Sequence, residues 1–360
     1  MTDLARLIAD KKVIVSIGPG GVGKTTISSL LALEAASRGR RTLALTMDPS
    51  RRLAQSLGVR PDAEFGRVTE RRMREAGFTP KAELDVRLLD SRATFDALVM
   101  KTAPSEDAAR TILLNNYYRS VASSLAGVHE YMAGEALLTS FEEGEYDLVI
   151  LDTPPAEHLS GFLSAPSRLA AILDSSGFKS FVMMDRLSFG FTKLFTSVSL
   201  KFIEKIVGID VLHDMWEFFS GFEGVGEGMK ARARKTDELL RSPEASFVIV
   251  TSLREDSMAN AASWRGELRA GGYDVGGVVV NRVLFPEERR PAGKLPKGFS
   301  RRKELAQKLE SNYGLYSEIA AAEHDALDRL RLEFGCAAVP DAGSDITALS
   351  DLCGLRKYLF

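Results

Sequence analysis

Short continuous apolar runs alternate with longer stretches of helical spacing along most of this chain. The runs lie at Val13–Ile17, 41–47, 84–89, 146–151, 246–251, 274–281 and 336–339. Helical spacing occupies 24–37, 91–102, 108–126, 127–142, 256–270, 300–330 and 344–359. In 127–142, Val128, Tyr131, Met132, Ala136, Leu137 and Phe141 mark one apolar side. Apolar strands of this length, each followed by a helix, predict an α/β fold with a mostly parallel sheet covered on both faces. Two stretches break the rhythm. Residues 60–81 are polar and basic and read as a surface insertion with a short helical piece near 67–75. Residues 160–240 contain no strand pattern and hold ten of the 19 phenylalanines. One domain spanning 1–360 is expected, with a helical subdomain formed by about 91–143 and 160–240.

The first strand runs into Gly18-Pro-Gly-Gly-Val-Gly-Lys-Thr-Thr26. Gly18, Gly23, Lys24 and Thr25 fit the G-x-x-x-x-G-K-[ST] pattern of a phosphate-binding P-loop. Glycines let the backbone turn its N–H groups onto phosphate oxygens where a side chain would collide. The helix that follows adds the positive end of its dipole. Lys24 supplies a cation for the β- and γ-phosphates, and the Thr25 hydroxyl is placed to ligate Mg2+. A strand, this loop and a helix in that order make the chain a nucleotide-binding P-loop NTPase.

In a parallel sheet, ligands bind beyond the carboxyl ends of the strands. Asp48 follows the second run there, where a carboxylate orients or deprotonates an attacking water. Asp48-Pro49-Ser50 equally fits a helix N-cap with proline at the first helical position. Asp152 ends the run at 146–151, the place of a magnesium-holding carboxylate opposite Thr25, usually acting through water. The loop from Thr153 and Pro154 to His158 then lies near the γ-phosphate as a switch. Asn281 ends the run at 274–281; its amide suits an adenine edge, and a turn equally.

Composition narrows the picture. A net charge of −2 argues against nucleic acid as the main partner. The start lacks the apolar core of a signal peptide, and no uncharged apolar stretch reaches about 18 residues, so no transmembrane segment is expected. Two cysteines, Cys336 and Cys353, form no disulfide framework, and a cytoplasmic setting follows. The phenylalanines of 178–222 either pack a helical core or form an apolar groove exposed in one nucleotide state. The basic run at 285–303 is read as a solvated loop, or as a surface for an acidic partner or lipid.

Taken together, Gly20-Gly21-Val22-Gly23-Lys24-Thr25-Thr26, Asp48-Pro49-Ser50, residues 152–163 beginning Asp152-Thr153-Pro154-Pro155 and Val280-Asn281-Arg282 resemble the arsenite-pump and tail-anchored-protein-targeting ATPases, a branch of the deviant P-loop dimeric ATPases. The likeness covers nearly the whole chain, including the long helical insertion. It implies an ATP/ADP-binding, Mg2+-dependent ATPase. Asp48 would activate water, Thr25 and Asp152 would hold magnesium, and His158 would lie in the second switch. Asn281, Pro340 and Asp341 would receive adenine. The resemblance also implies a face-to-face dimer whose closure around ATP rearranges the helical subdomain that handles an apolar client or partner protein.

Three departures stand out. Pro19 occupies the position of the family's signature lysine, so Arg51 or Arg52, or a paralogue in a heterodimer, would have to replace it. Two cysteines near the C-terminus do not make an arsenite site. The paired Cys-x-x-Cys of the eukaryotic targeting members and the duplicated half of the pump are both missing from this sequence. The expectation is a bacterial-type, single-P-loop ATPase. Its alternatives are a non-hydrolysing regulatory subunit and a positioning ATPase that uses membrane or DNA as its surface.

Overall fold

Every backbone group of a central parallel strand must be paired, so the most apolar runs of the chain occupy the middle of the sheet. A computed structural model describes residues 3–48, 51–60, 65–115, 128–153, 209–285, 302–343 and 348–360, with isolated positions between them; in 209–224 only the backbone is described. The chain forms two compact units. The first comprises Met1–Leu88, Glu145–Glu157 and Arg241–Phe360. The second comprises Leu89–Gly144 and His158–Leu240.

The first unit is a P-loop α/β domain. Its strands are β1 (Val13–Ile17), β2 (Thr42–Thr46), β3 (Phe65–Val68), β4 (Leu84–Leu88), β5 (Leu148–Asp152), β6 (Ala245–Thr251), β7 (Val275–Val283) and β8 (Ala337–Pro340). They form one eight-stranded sheet in the order β3-β4-β2-β5-β1-β6-β7-β8. Every neighbouring pair is parallel except β3 with β4. The chain leaves β1 towards β2 on one side and later returns to β6 on the other. A crevice therefore opens beyond the carboxyl end of β1, where the loop with Lys24 begins.

The helices of this unit are α1 (Leu4–Asp10), α2 (Lys24–Ser37), α3 (Arg52–Ser56) and α4 (Glu70–Glu75), which precede the second unit's helices in the chain. Apolar positions surround α2 on all sides, and nearly the whole helix is buried. Its one buried acid, Glu34, accepts from Arg38 at 2.8 Å and from Arg356 at 2.5 Å. Helix α1 was not anticipated by the reading of the sequence. Asp3 caps it by accepting the Arg6 N–H at 2.9 Å, and Leu4, Leu7 and Ile8 supply a buried stripe.

Residues 60–81 differ from the expected surface insertion. Residues 65–68 form the antiparallel edge strand β3, and helix α4 starts only after Thr69. Met73 and Phe78 are buried in the core. The polar residues that suggested a surface face outwards from this edge. Arg67 donates to buried Asp85 at 2.8 Å, which ties β3 to β4.

The second unit contains α5 (Ser91–Thr102), α6 (Glu106–Leu114), α7 (Val128–Glu143) and α8, which runs Ile209–Arg241 and leads back into the first unit. Phe95, Leu98, Ile112, Tyr131, Met132 and Met229 belong to its core. Arg232 on α8 is buried against Glu135 on α7 and also donates to Glu142 at 2.9 Å. The phenylalanine-rich stretch 178–222 lies outside the described residues, apart from the backbone of α8. The rest of the first unit holds α9 (Glu255–Ala270), α10 (Arg302–Phe334) and α11 (Leu349–Arg356). Helix α10 is a single 33-residue helix rather than several. No helix among the described residues is long and apolar enough to cross a membrane.

Candidate functional site

The loop between β1 and α2 owes its shape to two glycines with no room for a side chain. A Cβ on Gly18 would lie 2.2 Å from the Val250 carbonyl oxygen of β6. Gly23 has φ +93°, and a Cβ there would lie 2.1 Å from Asn281 Nδ2. That close approach is used: Asn281 Nδ2 donates to the Val22 carbonyl at 2.8 Å, so the tip of β7 holds the loop from 259 positions away. Gly23→Ala is therefore expected to push the loop off Asn281 and weaken nucleotide binding at least about tenfold. Titration with a fluorescent ATP analogue measures it, and unchanged affinity would contradict the role given to this contact.

Lys24 is buried and folded back on its own loop, donating to the carbonyls of Gly18 at 2.9 Å and Pro19 at 3.0 Å. Burial lowers its pKa, against the opposing fields of Asp152 and Asp48. Two elements deliver three hydroxyls to the buried carboxylate of Asp152. Thr25 donates at 2.8 Å and Ser28 at 3.2 Å from α2, and Thr46 at 3.5 Å from the neighbouring strand β2. Parallel register places Ser16 and Thr46 on either side of Asp152. Thr153 fixes the chain just beyond by donating its hydroxyl to the Ser16 carbonyl at 2.7 Å.

A cleft of about 910 Å3 opens over these groups. That is the size of a small-molecule site. Gly21, Gly23, Lys24, Thr25, Thr26, Asp48, Arg52, Thr153, Asn281, Pro340 and Asp341 all line it. Gly20 is exposed on the loop, and Val22 is buried behind it. Asp152 lies beneath, joined through Thr25. Asp48 is half-buried at the edge and does not cap α3, whose N-cap is Arg51. Its backbone N–H donates to Thr46 Oγ1 at 3.2 Å, and its carbonyl accepts from Arg51 N at 3.1 Å. Of the two arginines, Arg52 lines the cleft and Arg51 does not. Pro49, Pro154 and His158 lie outside the described residues.

The sequence profile of the anion-transporting ATPases matches residues 11–327, which include the glycine loop, Asp48, Asp152 and Asn281. The chain belongs to the anion-transporting ATPase family. The ATPase get3 of Aspergillus terreus is 25% identical over 272 residues, covering 75% of this chain and 73% of that protein. ATPase ASNA1 homolog 1 of Paramecium tetraurelia is 28% identical over 280 residues, covering 75% and 74% respectively. As a member of the family, this chain is an ATPase that binds nucleotide in an α/β P-loop fold.

The cleft of this ATPase contains residues that local reading passed over. Gln55, Ser56, Arg282, Gly343, Asp345 and Ile346 join its wall. Ser28 and Thr46 complete the hydroxyl shell of Asp152. Thr46, at the tip of β2 two positions before Asp48, carried a usable signal: strand tips converge at the ligand edge. Gln55, Ser56, Gly343, Asp345 and Ile346 carried none, because their approach depends on strand order.

Burial raises the pKa of Asp152 to about 6, against the lowering effects of Thr25, Lys24 and Ser28; Asp48 adds a smaller upward push. A carboxyl raised in the folded state favours folding in its neutral form. Its contribution is complete below the ordinary value of 3.8 and is lost as pH rises through about 6. The ligand-free wild type should therefore gain stability relative to Asp152→Asn as pH falls from 7 to 4, by on the order of 3 kcal/mol. Paired denaturant melts across that range test this. A difference that does not change with pH would contradict it.

Proposed function

We propose that the chain is a Mg2+-dependent ATPase that works as a nucleotide-driven dimeric switch and handles an apolar client or partner protein through its helical unit. The observation that carries this reading is the 2.8 Å bond from Thr25 to Asp152 in the cleft that also holds Lys24. The Thr25 proton is committed to a carboxylate, which leaves its oxygen lone pairs for a cation. A hydroxyl and one carboxylate form the all-oxygen donor set that suits Mg2+, which takes its remaining ligands from phosphates and water. The cation, when bound, neutralises charge on the β- and γ-phosphate oxygens.

The chain's own groups do the rest. Backbone N–H groups of Gly21 to Thr26 and the N-terminus of α2 cradle the phosphates. Lys24 exchanges the Gly18 and Pro19 carbonyls for phosphate oxygens. Asp48 accepts a hydrogen bond from the attacking water and sets its line of approach. Asn281 holds Val22, and with Pro340 and Asp341 it receives adenine. Arg52, exposed at the cleft edge, is the group in this chain placed to stand in for the signature lysine that Pro19 replaces.

Steady-state hydrolysis over a range of protein concentrations, with and without EDTA, tests the proposal. Specific activity should rise with concentration and vanish without Mg2+. Activity independent of concentration would remove the dimer. Binding of ATP with no turnover at any concentration would favour a subunit that waits for a paralogue to supply the lysine.

A further inference from the structure

We propose that Arg232 is a register lock of the helical unit, fixing α8 at one axial position against α5 and α7. Arg232 and Glu135 are both buried, and Met229 and Ala233 on the same stretch of α8 belong to the apolar core. The guanidinium donates to Glu135 through Nε, to Thr139 Oγ1 at 3.1 Å and to Glu142 at 2.9 Å, all on α7. Thr139 in turn donates to Glu135 at 3.1 Å. Glu142 also accepts from Lys101 of α5 at 3.4 Å and from Lys235 of α8 at 3.3 Å.

Stability does not account for such a group. Taking two charges out of water costs about as much as their attraction returns, and apolar side chains of similar volume often replace a buried pair without loss. Here the compensation is incomplete: Glu135 Oε2 has no hydrogen-bond partner among the described residues. The best-attested use of a buried polar group is to select one register among several.

Packing alone leaves that selection open. Helix α8 meets its neighbours through small residues: a Cβ on Gly228 would lie 2.6 Å from Thr102 Cβ on α5, and a Cβ on Gly134 of α7 would lie 2.9 Å from Thr236 Cγ2. Gly224 stands one turn before Gly228 in the same helix. Residues four apart share a helix face, so a slide of one turn, about 5.4 Å, sets Gly224 opposite Thr102 with the same room. The charge does not repeat. Glu135 would then face Gly228, which offers a buried carboxylate nothing. Helix α7 leads into β5 and α8 into β6, so the lock holds in register the two helices that the chain joins to the strands on either side of β1.

Double electron–electron resonance on the full chain tests the proposal. Spin labels go on Ala97→Cys of α5 and Glu238→Cys of α8, both exposed, with Cys336→Ala and Cys353→Ala as background. With Arg232 and Glu135 in place, the labels should report one distance. Combining Arg232→Met with Glu135→Leu removes both charges and leaves Glu142 to its two lysines. A second population should then appear, displaced by up to about 5 Å, one helical turn. Thermal melts supply the other readout. Glu135→Leu alone leaves a buried guanidinium short of its partner and should lower the melting temperature by about 10 °C, while the double variant should return to within about 3 °C of wild type. A single, unshifted distance in the double variant would show that packing sets the register and overturn the proposal. A double variant that melts as low as Glu135→Leu, or does not fold, would also overturn it, because the pair would then serve stability.

Discussion

Lys24→Ala is expected to abolish ATP binding at concentrations that saturate the wild type. The ammonium is buried at the base of the loop and already donates two hydrogen bonds to carbonyls. Phosphate oxygens offer it stronger, charge-assisted partners. Hydrogen bonds to charged groups contribute about 1.5–3 kcal/mol each, so losing two of them weakens binding at least about a hundredfold. The fold should survive. Alanine is the best helix former for the first position of α2, and the change removes a cation whose burial already depresses its pKa. Calorimetry with ATP, paired with a thermal melt, separates the two effects. Wild-type affinity in a folded variant would remove Lys24 from the site.

Asp48→Asn is expected to leave ATP binding within about threefold of wild type while lowering turnover by about 10²–10⁴-fold. The substitution keeps the shape. The backbone of the residue is held through Thr46 Oγ1 and Arg51 N, contacts the substitution leaves in place, so the loop should not move. The lost charge is the one that acts on Lys24 and Asp152 from the cleft edge. An amide can still accept from water but cannot take its proton. Single-turnover hydrolysis with saturating ATP reads the chemical step alone. Normal hydrolysis would transfer the role of activating water to another residue.

The two variants fail at different stages, which makes them diagnostic together. Without Lys24, no nucleotide state forms, so any conformational response of the helical unit should vanish. With Asn at position 48, the ATP state forms and persists. A dimer that depends on ATP should then accumulate, measurable by light scattering as a mass that rises with ATP and does not decay.

Much of this protein was legible in one dimension because its strongest signals are local. Glycine spacing, the lysine and the threonine lie within a few residues of one another, so their geometry follows from backbone sterics and the start of a helix. The runs that became β1, β2, β5 and β6 are apolar on both faces, and such short runs bury themselves in a parallel sheet. Asp152 was readable as the polar end of an apolar strand. The same reasoning missed β3, a four-residue edge strand of which only Val68 is buried.

What tertiary structure alone decided is which distant residues share the cleft. Thr46 reaches Asp152 because β2 and β5 are neighbours in register, although 106 positions separate them. Asn281 closes on Val22, and Pro340, Asp341 and Ile346 share the cleft with Arg282, only because β7 and β8 complete the sheet on the side of β1 away from β2. The left-handed turn at Arg282 arises from a break in strand pairing, and no neighbouring residue calls for it. Sequence by itself determined the local chemistry, since propensity, capping and glycine geometry act over a few residues. Strand order and register decided the rest, because they minimise exposed apolar surface and unpaired backbone over the whole chain at once.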